Sequence, residues 1–141
     1  MNYYEKDFNL WLQTQATALK NKDIKNMDWN NLIEEIEDMG KSEKRSLESY
    51  LERLIEHILK IKYWESQKSF NLKHWQVEIK NFRKRIIRLL ERSPSLNNYA
   101  IDIYPRLFNE AVDTWQIQFH IPETAFFDFD YALNKDVTLI N

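Results

Sequence analysis

The chain has 141 residues, 30% of them charged, with a formal charge of −2, no cysteine and a single glycine, Gly40. Those figures exclude disulfide frameworks, thiolate metal sites and thiol nucleophiles. They also exclude the glycine-rich loops that cradle phosphates, which need several residues free to adopt positive φ.

Five Trp, seven Tyr and eight Phe supply the apolar area for a core, so one helical domain over residues 1–141 is expected. Scarce glycine and proline leave little hairpin chemistry and argue against a sheet. The opening MNYYEKDFNL has no basic stretch followed by an apolar run, and nowhere are there enough consecutive apolar residues to span a bilayer. The cytoplasm is the expected compartment, with no membrane partner and no cofactor.

Phe8, Trp11, Leu12, Ala16 and Leu19 recur at helical spacing and predict a first helix from about residue 5 to 21. After the polar link NKDIKN, Asp28 has the character of an N-cap, with Met27 and Leu32 at hydrophobic-staple positions. Apolar residues then run Leu32, Ile33, Ile36 and Met39, and resume at Leu47, Leu51, Leu54 and Ile58 in the same phase. That continuity predicts one long helix, bent at Gly40, from 28 to about 65, with a break at Ser42 as the rival. Asn71 is the expected cap of the next helix, in which Leu72, Trp75, Ile79, Phe82, Ile86 and Leu89 form a narrow seam. Pro94, capped by Ser93, is expected to open a fourth helix that Pro105 kinks. A short helix at about 129–135 completes the reading: all-α, an antiparallel bundle of four principal helices plus a short C-terminal one.

The run NLIEEIEDMGKSEKRSLESYLERLIEHILKIKYW at 31–64, with YYEKDFNLWLQTQA near the start and SPSL at 93–96, resembles the bacterial family catalogued as domain of unknown function twenty-nine. The likeness covers most of the chain and departs from the family pattern after residue 120. It implies an all-α bundle and brings no reaction, ligand or catalytic residue. The polar positions in the matched pattern are Glu34, Glu35, Glu37, Asp38, His57 and Lys60, with Trp75 as its tryptophan. They are the candidates for a site that the resemblance supplies.

Chemistry is thinly signalled. The cluster Glu34, Glu35, Glu37, Asp38 invites a metal reading, but none of the three histidines follows a Glu by three residues, so it reads as solvated helix surface and no metal is expected. Arg53, His57 and Lys60 share a helix face and could converge on a phosphate, the arrangement of a helical phosphodiester hydrolase. The spacing departs from the Arg-to-His interval of such nucleases, and His57 fits a boundary residue bonding between helices. DFDYALNKD lacks the glycine and closing Glu of a calcium loop.

Charge is segregated along the chain. Residues 28–59 hold nine acidic and four basic side chains, whereas 60–92 hold three acidic and ten basic. Helical projection places Lys73, Lys80, Lys84 and Arg88 opposite the apolar seam, and Glu48, Glu52 and Glu56 opposite theirs. Both ridges are expected to point outward and to compensate one another between adjacent helices. A protein of interaction or structural type, with an unknown protein or a second copy as partner, is the function these features favour. The alternatives are an anionic-partner or nucleic-acid binder using Lys80, Arg83, Lys84, Arg85 and Arg88, and the hydrolase using Arg53, His57 and Lys60.

Overall fold

The computed structural model describes residues 2–141, and among them helices are the only regular structure. The first break comes at Asp7. A short helix α1 (Tyr3–Lys6) ends there and α2 (Phe8–Lys20) begins, with the Asp7 carboxylate accepting the Leu10 amide at 3.0 Å. The single helix expected over 5–21 is thus two, because Asp7 takes an extended φ of −151° and satisfies an orphan amide of the new helix. α2 closes through Lys22, whose φ of 53° is the left-handed conformation of a helix C-terminus. The Asp23 amide returns to the Ala18 carbonyl at 2.8 Å.

α3 (Trp29–Tyr63) runs 35 residues, about 52 Å at 1.5 Å per residue, and passes Gly40 without a break. The Asp28 carbonyl accepts the Leu32 amide. Its carboxylate takes the Asn31 side-chain amide and the Trp11 indole, and its own amide donates to Gln15. The bonds from Asn31 and then Trp11 hold the Asp28 carboxyl below its usual range.

α4 (Glu65–Arg92) follows after one residue, Trp64. Asn71 therefore lies inside this helix, donating to the Gln67 carbonyl at 3.0 Å, and the expected cap is corrected. The turn is anchored by aromatic packing: Trp64 stacks on Phe119 at 5.0 Å and on Trp75 at 6.1 Å. α5 (Leu96–Trp115) starts two residues after Pro94, and Ser93 ends α4 instead of capping α5, its hydroxyl donating to Glu43. Pro105 sits within α5, where its missing N–H leaves the Ile101 carbonyl without its helical donor. α6 (Phe129–Asn134) is capped by Asp128.

Contacts divide the chain into two compact units, the residues up to Ser42 and Glu43–Asn141. The hydrophobic core belongs to the second unit. Leu47, Leu51, Leu54 and Ile58 of α3 meet Trp75, Ile79 and Ile86 of α4, with Ala100, Tyr104 and Leu107 of α5. The tail completes it through Phe127, Ala132, Val137 and Ile140.

The N-terminal unit is thinly packed. Trp11, Gln15 and Ala18 are buried, while Phe8, Leu12 and Leu19, which the sequence assigns to the buried face, are exposed. Among the described residues, eight large apolar side chains of this short unit are exposed, against seven in the much longer second one. Four of the eight, Trp29, Ile33, Ile36 and Met39, lie along the first part of α3 at 51, 52, 63 and 61% exposure. Their helical phase is that of Leu47, Leu51 and Leu54, so one stripe of one helix is covered after Glu43 and uncovered before it.

Candidate functional site

Arg53, His57 and Lys60 do come together, one turn apart along α3, and what they surround is Glu56. Its Oε2 lies 3.4 Å from His57 Nδ1, 3.7 Å from an Arg53 guanidinium nitrogen and 3.8 Å from Lys60 Nζ. The anion of this cationic cluster is supplied by the chain itself. His57 is almost fully buried, its ring against Phe82 of α4, and Nδ1 donates to the Arg53 carbonyl at 2.6 Å. Lys60 lies over the Trp115 ring at 4.3 Å, a cation–π contact in a partly desolvated setting. Burial holds its ammonium below the usual lysine range.

Beside the cluster, between α3 and α5, is a groove of about 390 Å³. Glu52, Glu56 and Glu110 line it together with Arg53, Thr114 and Trp115. Three carboxylates against one guanidinium repel a phosphodiester, and neither His57 nor Lys60 lines this groove.

Burial is also the main reason the His57 imidazole titrates below its ordinary 6.5; the Lys60 charge adds to it, while the Arg53 carbonyl, Glu56 and Glu78 oppose it. A histidine kept neutral in the folded state binds fewer protons than in the unfolded chain once pH drops below 6.5. Its contribution is therefore whole above that pH and is lost as pH falls towards the depressed folded value. We expect thermal stability to decline between about pH 6.5 and pH 5, and His57→Gln to flatten that decline. An unchanged slope in the variant would assign the decline to other groups; His74 and His120 are both exposed.

The two charge ridges do not behave alike. Glu48 and Glu56, expected to face outward, are half-buried because α5 packs on their side of α3. Glu48 accepts the Tyr99 hydroxyl at 2.5 Å and Arg106 at 3.3 Å, and Glu56 is held as described; of the three only Glu52 is exposed. On α4, Lys73, Lys80, Lys84, Arg85 and Arg88 are exposed, and among the described residues none lies within salt-bridge distance of a carboxylate. Compensation between α3 and α4 is limited to Arg92 with Glu43 at 3.6 Å.

Arg83 stands apart from the ridge. Its guanidinium donates to the carbonyls of Ala132 at 2.9 Å, Lys135 at 2.7 Å and Tyr131 at 3.3 Å, capping the C-terminal end of α6. Arg85 lies over the rings of Tyr50 and Phe82. The outer face of α4 instead carries Phe70 and Val77, 84 and 55% exposed, interleaved with the lysines.

Of the polar positions in the N-terminal part of α3, Glu35 accepts the Tyr4 hydroxyl at 2.6 Å. That bond pushes the Tyr4 phenol up to about 12. Glu34, Glu37 and Asp38 are exposed. Among the described residues no three His, Asp or Glu side chains are grouped so as to hold a metal ion, and Trp75 is a buried member of the aromatic stack at Trp64.

The model of the family described as Domain of unknown function DUF29 matches residues 3–138. The chain belongs to the DUF29 family. The match runs through the tail, beyond residue 120 where the sequence reading has the resemblance depart, so the DUF29 unit includes the segment that Arg83 secures. No curated protein and no solved structure matches this DUF29 chain. No helix of it is long and apolar enough to cross a membrane.

Sequence reasoning missed two features of this DUF29 protein, the uncovered first part of α3 and the Arg83 clamp. Both depend on contacts between distant segments, which helical periodicity does not report.

Proposed function

We propose that this protein is a non-enzymatic interaction module of the cytoplasm, working through the apolar face of α3 formed by Trp29, Ile33, Ile36 and Met39. The cysteine-free sequence fits a reducing compartment. The observation that carries the reading is the exposure of these four side chains on one face of a helix that buries the same phase further along. Aligned exposed apolar residues of this kind mark binding surfaces, whereas isolated ones need no explanation.

Full burial of one such side chain stabilises by about 1.5–3 kcal/mol, so covering the remaining half of all four contributes roughly 3–7 kcal/mol. Association itself costs at least about 4 kcal/mol. The stripe alone is thus marginal, and a partner must also answer the carboxylates around it. A membrane with anionic headgroups does not, because Glu35 and Glu37 border the stripe on its two sides.

A photo-crosslinking residue at position 36 tests the reading in cells that make the protein. A discrete protein adduct is expected from position 36 and none from position 45, where the exposed Arg45 lies away from the stripe. Ile33→Asp should abolish the adduct while shifting Tm by no more than about 2 °C, as befits a surface substitution. Failure of position 36 to yield any protein adduct would remove the reading.

A further inference from the structure

The outer side of α4 is sorted into lanes. In helical projection Phe70, Val77, Asn81 and Arg88 fall within about 40° of one another, a central line opposite the buried seam of Trp75, Ile79 and Ile86. Lys73, Lys80 and Lys84 run along one side of that line, His74 and Arg85 along the other, and all of these residues are exposed. Among the described residues, none of the five Lys and Arg side chains lies within salt-bridge distance of a carboxylate.

Carboxylates stay off this arc. Glu65 and Glu91 lie beyond its ends, Glu78 is half-buried with its charge acting on His57, and Asp136 of the tail comes near Lys80 without pairing with it. The arc belongs wholly to the second compact unit, where 15 basic residues stand against 14 acidic ones, while the first unit has 5 against 8. The net negative charge of the chain therefore belongs to the first unit.

We propose that the outer arc of α4 binds duplex DNA, seated in the major groove with its two cationic sides against the two phosphate walls. It uses other residues than the Trp29–Met39 face, so the inference goes beyond the reading above and does not depend on it.

Shape and chemistry agree. A helix with its side chains is about 10–12 Å across, and the major groove is about 12 Å wide. From Lys73 to Arg88 the cations extend about 22 Å along the axis, a length over which a duplex offers roughly thirteen phosphates. The central line carries the residue types that contact base edges: the Asn81 amide for adenine, the Arg88 guanidinium for guanine, and apolar Phe70 and Val77 for thymine methyls. The cations spread over about 140° of the helix circumference, which suits walls on both sides. A flat anionic membrane touches one strip of such a rod, and two apolar side chains about 10 Å apart give it little to bury. Duplex RNA has a major groove too narrow for side chains to read.

Fluorescence anisotropy of a labelled DNA duplex of about 20 base pairs, two helical turns, titrated with the full chain provides the test. Binding is expected at about 50 mM NaCl and should weaken roughly 100- to 500-fold by about 200 mM, the loss that four or five phosphate contacts produce. Lys84→Ala should make the slope of log affinity against log salt shallower by about one, and Lys84→Arg should restore it. Lys73→Glu with Lys84→Glu and Arg88→Glu should abolish binding at the lower salt. A control with the same change in charge, Lys25→Glu with Lys41→Glu and Arg45→Glu, should keep the slope of the parent. All six positions are exposed, so both triple variants should keep the helical circular dichroism of the parent.

An RNA duplex of the same sequence should bind at least about tenfold more weakly. The absence of DNA binding at the lower salt would overturn the proposal, and so would a ridge variant that binds as the parent does, a control that loses binding with it, or an unchanged slope in Lys84→Ala. Equal affinity for the RNA duplex would also overturn it. Vesicles containing phosphatidylserine that capture the parent but not the ridge variant, while the DNA duplex goes unbound, would overturn it and assign the arc to a membrane surface. None of these results bears on the adduct at position 36, so the two readings fail separately.

Discussion

Leu54→Ala is expected to cost about 3–5 kcal/mol, because the side chain is fully buried where α3, α4 and α5 meet and rigid neighbours close only part of the space it leaves. At roughly 4 °C per kcal/mol for a chain of this size, thermal melting by circular dichroism should fall by about 12–20 °C. The informative comparison is Ile36→Ala on the same helix in nearly the same phase. That side chain is mostly in water, so its truncation should move Tm by no more than about 2 °C. Equal losses at the two positions would mean that the first part of α3 is covered in solution and would remove the exposed face from which the function is argued.

The second large effect concerns the tail. Arg83→Ala removes three charge-assisted hydrogen bonds from carbonyls at the end of α6 and exposes those acceptors to an imperfect replacement by water. The expected cost is about 2–4 kcal/mol, seen as a drop in Tm of roughly 8–16 °C. Limited proteolysis after Phe119 should accelerate with it. Arg83→Lys should recover little, since one ammonium cannot serve three carbonyls spread around a planar fork. Full recovery by lysine would show that charge near the α6 terminus, and not the fork, holds the segment.

These two residues also mark what could be read from residues alone. Leu54 was legible: the spacing Leu47, Leu51, Leu54, Ile58 declares a helix face, and its phase carried the helix correctly through Gly40. At Gly40 an added Cβ would meet no atom within 4 Å, so the glycine answers no packing demand that would break the helix. The start of α4 was not legible, because ESQKSF has no apolar period and the helix is held there by the Trp64 stack, whose partner Phe119 is distant in sequence. Asp7 was hidden by the opposite effect, since Tyr4, Phe8 and Trp11 keep a helical phase straight across the break and pack on one another.

The candidate site divides along the same line. Arg53, His57 and Lys60 were expected on one face because helical spacing demands it, and so they lie. That the face turns towards α5 and closes on Glu56 depends on how helices pack, which a projection cannot contain. The basic ridge followed from projection, Arg83 excepted, since its partners lie some fifty residues further along the chain.

The unequal cover of α3 has a kinetic consequence. By backbone bonding it is one rod, yet the amides after Leu47 sit under packed side chains and exchange with solvent only when the core opens, whereas those between Trp29 and Ser42 can open turn by turn from the exposed end. Deuterium uptake along this single helix should therefore rise towards its N-terminus, and a ligand that seats on the bare portion would slow the fast half alone.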